Sequence, residues 1–155
     1  MYLLAIIVLL GLAPIVSIGV EYAQTAGDVV DLAAKWFVFW AVGVRLFVAG
    51  ARQVLQPAFT ARDIFEIEDV KAHVIVRELG FANLSFGALG IATLWRPDWI
   101  PAAALAGGLF YGLAGVRHLL DKQRTGNGVI AMVSDLIVFA ILAACLADWA
   151  HPAAP

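Results

Sequence analysis

Five long stretches of this chain carry almost no charge, and that limits what it can fold into more than any other feature. A helix crossing a ~30 Å hydrocarbon core needs about 20 mainly apolar residues. Residues 2–20, 36–54, 74–95, 100–120 and 129–148 each meet that requirement. A water-soluble fold fails on composition, because only 14% of the 155 residues are charged, against about 25% in a soluble domain. The segments predict an all-α, integral membrane helical bundle of five transmembrane helices, forming a single domain over residues 1–155. Most connections are short and polar. The longest, residues 57–69, reads as an interfacial helix in which Thr60 and Asp63 have capping-box spacing.

The basic residues sort by side once the spans alternate. Arg52, Arg62, Lys71, Arg77, Arg117, Lys122 and Arg124 fall in or near the N-terminal side, and Lys35 and Arg96 on the other. The positive-inside bias then puts the N-terminus in the cytoplasm and the C-terminus in the periplasm or outside. Trp36, Trp40, Trp95, Trp99 and Trp149 all fall at or near the second side, as half of an aromatic belt does. High Ala, Gly and Arg usage fits a bacterial inner membrane. The first segment has no Lys or Arg ahead of it, so it reads as a retained helix rather than a signal peptide. Pro14 within it is expected to kink the helix and free a carbonyl.

Several function classes drop out. A formal net charge of -2 gives no basic surface for nucleic acid. The single cysteine, Cys145, makes neither a disulfide nor a CxxC pair. No Glu-x-x-His motif supports a di-iron site, and Asp69 with His73 is one isolated pair, so no metal is assigned. Ser17, Ser85 and Ser134 lack a nucleophile-elbow pattern.

Small residues recur at helical spacing in the third segment (Gly80, Asn83, Gly87, Gly90) and the fourth (Gly108, Gly112, Gly115). Such stripes let helices approach closely in lipid, and they place these two segments in the middle of the bundle. Ionisable residues within a span cost about 2.5–3.5 kcal/mol at mid-helix and are functional candidates by default. Arg45, Glu78, His118 and Asp135, with the neutral amide Asn83, are the five polar residues placed inside the spans here. Counted along their helices, Glu78 and His118 lie about one turn in, and the others two or three. Arg45 needs a carboxylate, for which Glu78 and Asp135 are the choices. A plainer reading also applies to most of them: Glu78 snorkelling to the headgroups, His118 solvated at the interface, and Asn83 as an interhelical hydrogen bond.

At the second segment, Val44-Arg45-Leu46-Phe47-Val48-Ala49-Gly50-Ala51-Arg52 followed by Gln56-Pro57 resembles the first helix of DoxX-like membrane proteins. Val76-Arg77-Glu78-Leu79-Gly80 through Gly87 and Gly90 resembles their second helix, and Gly115-Val116-Arg117-His118-Leu119-Leu120 their third. The likeness runs from about Trp36 to Trp149, closer to uncharacterised relatives of this size. It implies a four-helix DoxX-like unit plus an N-terminal helix, working beside a membrane oxidoreductase in reactions such as thiosulfate-to-quinone electron transfer. On that basis the expected function is a small accessory protein or subunit holding a quinone or lipid at the polar cluster. His118 or Asn83 would donate to a quinone carbonyl, with Glu78 or Asp135 relaying a proton. The alternatives are a membrane enzyme on a hydrophobic substrate and a small transporter or channel, the latter with a homo-oligomer supplying symmetry.

Overall fold

The computed structural model describes residues 2–121 and 126–150, and every long element among them is helical. Five helices are long and apolar enough to cross a membrane: α1 (Leu3–Thr25), α2 (Val29–Leu55), α3 (Ala72–Ala92), α4 (Pro97–Leu120) and α5 (Gly128–Ala150). Lys122 and Arg124, which contribute to the charge bias, lie outside the described residues.

The first two helices run further than hydropathy alone predicts. α1 continues to Thr25, where Ala26 adopts a left-handed conformation (φ 49°) and its N–H closes onto the Tyr22 carbonyl. α2 starts at Val29 rather than at residue 36, because the Asp28 carboxylate accepts the amides of Val30 (2.8 Å) and Asp31 (3.1 Å) as an N-cap. The charges between residues 21 and 35 are thus built into helix ends. Backbone bonding widens to i→i+5 over Ile7–Leu12, directly ahead of the buried Pro14, and over Val38–Arg45 in α2. In α1 the wide turns adjoin the residue that lacks an N–H, the place where carbonyls must find other donors.

α2 is the hub of the bundle and packs on all four other spans. This corrects the expectation that the third and fourth segments sit in the middle. The glycine stripe of α3 faces α2 in an antiparallel seam, Gly90 on Gly43, Gly87 on Phe47, and Gly80 on Gly50. The stripe of α4 turns the other way, Gly112 on Phe139 and Gly115 on Leu136 of α5, while Gly107 takes Val42 of α2. α3 and α4 touch each other little. The small residues mark seams, as close approach in lipid requires, but each seam serves a different neighbour.

The interfacial segment is helical over Pro57–Phe59 and Thr60–Ile64 and not beyond. Thr60 is buried inside this short helix and caps nothing, so the capping-box reading is wrong. Its helical backbone (φ -65°) places Thr60 a turn past the helix start at Pro57, inside the helix rather than at the N-cap position, which Gln56 holds. Glu66, with φ 57°, turns the chain out of the helix.

The alternation of the helices gives the bundle a basic end, holding Arg52, Arg77 and Arg117, and an opposite end where the tryptophans gather.

Candidate functional site

Charge inside a bundle is tolerable only where it is paired and hydrogen-bonded. Arg45 of α2 meets that condition on α5. Its Nη1 and Nη2 each donate to Asp135 Oδ1 at 3.2 Å, with the two side chains 16% and 7% exposed. The guanidinium also stands 5.0 Å from the ring centre of Tyr111 on α4, within cation–π range. Tyr111 is fully buried, and its hydroxyl donates to the Ala41 carbonyl of α2, one turn before Arg45. Three helices are therefore tied at one level by one cation. Ser134, beside Asp135, is buried and donates to the Ala131 carbonyl at 2.9 Å, so its hydroxyl is satisfied within α5.

His118 lies on the Tyr111 face of α4, two turns nearer the basic end, and is half-buried. The remaining candidates are elsewhere. Asn83 is buried in the α2–α3 seam, where its Nδ2 donates to Gln53 Oε1 at 2.8 Å and its Oδ1 has no partner. Glu78 is exposed on the far side of α3. Of the two carboxylates available to Arg45, the fold supplies Asp135. The five residues thus form a core of Arg45 and Asp135 with His118 at its edge, a separate amide pair at Asn83, and an outward carboxylate.

Sequence reasoning missed Tyr111 and Gln53, and weighed Ser134 only as a nucleophile. Tyr111 carried a usable signal, since it stands one heptad before His118 on a helix face otherwise made of alanine and glycine. Gln53, next to Arg52 near a helix end, carried none.

A second polar layer lies at the tryptophan end. Lys35 Nζ meets both Glu21 oxygens at 2.7 and 2.8 Å, and Trp36 Nε1 donates to the same carboxylate at 2.7 Å. Trp40 donates to Ser17 (3.0 Å) and Trp149 to Asp31 (2.9 Å), tying α1 and α5 to α2. Two open depressions of about 350 and 390 Å³ flank Glu21, the larger bounded by Asp31, Lys35, Asp98 and Trp149. Asp31, Lys35 and Asp98 are each already bonded within the chain. Among the described residues no three His, Cys, Asp or Glu side chains converge as metal ligands.

Over residues 1–154 the chain matches a family described as "Family of unknown function (DUF6790)". No curated protein and no solved structure matches it.

Proposed function

The chain belongs to the DUF6790 family, whose description carries no activity, and from the geometry we propose that it is a non-catalytic membrane subunit or accessory protein. The observation that carries this reading is that its mid-span charge is spent internally: Arg45 is held by Asp135 and by the Tyr111 ring. Catalysis needs groups free to meet a substrate, and these meet each other. Arg45 and Asp135 already satisfy each other, so the reading assigns no ligand to the polar core. The protein acts through its surfaces, beside a membrane oxidoreductase as the DoxX-like resemblance implies.

The membrane is a bacterial inner membrane, with the N-terminus cytoplasmic. Arg52, Arg62, Lys71, Arg77 and Arg117 near one end and all five tryptophans at or near the other support that orientation.

Native mass spectrometry of the protein, released from its own membranes in mild detergent, tests the reading. The expected spectrum holds the chain with polypeptide partners and no stoichiometric small molecule. A quinone-sized adduct that disappears in Asp135→Asn would refute it.

A second reading rests on His118, which is half-buried on the Tyr111 face of α4, two turns nearer the basic end. Titratable groups stepping inward from one face are the minimum for proton movement. Proton uptake by proteoliposomes that His118→Phe abolishes would favour this reading.

A further inference from the structure

α3 has two faces, and α2 covers one of them. Gly80, Asn83, Gly87 and Gly90 are buried in the α2 seam, and Val76 is buried beside them against Ala61 of the interfacial helix. Successive residues stand about 100° apart around a helix, which puts Val74, Arg77, Glu78, Phe81, Ser85 and Ala88 on the opposite side. All six are exposed, Val74 at 60% and Phe81 at 51%. Beyond Phe81 this outer face turns small, with Ser85 and Ala88, and the Ser85 hydroxyl folds back onto the Phe81 carbonyl at 2.9 Å.

The charges on this face are the anomaly. Among the described residues, neither Arg77 nor Glu78 takes part in an ion pair or a side-chain hydrogen bond. As immediate neighbours they point about 100° apart and do not meet each other. α3 has 21 residues, about 31 Å at ~1.5 Å per residue, which is barely the ~30 Å hydrocarbon thickness. Glu78 therefore cannot be drawn out to the headgroups by sliding the helix, and lies about 9 Å inside its start at Ala72. Unpaired ionisable groups facing lipid at such depth are rare.

We propose that the outer face of α3 is the interface with a second copy of this chain, related by a two-fold axis along the membrane normal. The argument is charge complementarity. A two-fold interface is isologous, so whatever lies on one side of its centre faces what lies on the other side. Its centre line here runs through Val74 and Phe81, with Arg77 on one flank and Glu78 on the other at one depth. Rotation by the two-fold brings Glu78 of each copy to Arg77 of the other, giving two reciprocal pairs. The small side chains of Ser85 and Ala88 then let the two helices close together toward the tryptophan end.

Cross-linking in native membranes tests this. Cys145 is buried and is the one cysteine, so single cysteines are placed in a Cys145→Ala background. Ser85→Cys and Ala88→Cys are expected to oxidise to a species of twice the chain mass. Leu113→Cys on α4, at a position 71% exposed, is expected to stay monomeric. Glu78→Gln, Glu78→Arg and Arg77→Glu should each cut the Ser85→Cys product several-fold, and the double swap Arg77→Glu with Glu78→Arg should restore it. Equal cross-linking at Leu113→Cys, a product of any other mass, or indifference to the charge changes would overturn the proposal.

Discussion

Replacing Gly87 by alanine tests whether α2 and α3 are held at backbone contact. The new methyl would stand 2.5 Å from the Phe47 amide nitrogen, 2.6 Å from its Cα and 2.7 Å from its Cβ. Two of those atoms are backbone, so no rotamer change relieves the overlap. The helices must part by roughly 0.9 Å, a gap that forfeits about a quarter to a half of each dispersion contact along the seam. Overpacking of this kind costs about 1–3 kcal/mol. Alanine returns about 0.8–1.0 kcal/mol of helix propensity, leaving a net loss of up to ~2 kcal/mol. Gly108→Ala is the matched control, since its methyl would meet nothing nearer than Leu142 Cβ at 3.6 Å. It keeps the propensity gain without the overlap, so the two variants should differ by about 1–3 kcal/mol. Reversible unfolding in mixed micelles, followed by tryptophan fluorescence, measures that difference. A Gly87→Ala protein as stable as Gly108→Ala would show the seam to be loose and refute the reasoning.

The amide pair and the tryptophan-end network give two further predictions. Gln53→Leu leaves a buried Asn83 with neither amide atom satisfied and should cost about 1–3 kcal/mol. Asn83→Leu, which also removes the unpartnered Oδ1, should cost less in the same unfolding assay, the reverse of what burial alone implies. Glu21→Ala strips the common acceptor from Lys35 and Trp36, a half-exposed pair worth about 1 kcal/mol or less. Hydrogen exchange should then speed up over residues 14–25 of α1 while the α2–α3 seam is unchanged. Uniform acceleration across the bundle would contradict the local role given to Glu21.

Runs of apolar residues long enough for a membrane are a one-dimensional property, and all five spans could be read from the chain. Their ends could not, because Asp28, Asp31, Lys35 and Glu21 look like loop residues until a cap, a tryptophan and an ion pair account for them. The glycine stripes identified seams but not neighbours. Whether Gly87 meets α2 or α4 depends on helix order, which spacing within one helix does not encode. Arg45 needed an acid, and choosing Asp135 over Glu78 depended on how α3 is rotated: with Gly80 and Gly87 turned to α2, Glu78 must point away. Tyr111 escaped notice because a tyrosine in a span carries no charge to explain, and its part in the core rests on a ring face and a carbonyl from another helix.

The central claim, that Arg45 and Asp135 are satisfied by each other rather than by a ligand, is tested most directly by a stability cycle on Arg45→Met and Asp135→Leu. Each single variant strands one buried charge and should lose about 3–5 kcal/mol. The account predicts that the double variant, with both charges replaced by apolar side chains, recovers to within about 1 kcal/mol of the original chain. A double variant no more stable than the singles would contradict it, and would mean that Arg45 and Asp135 each answer to something other than the other.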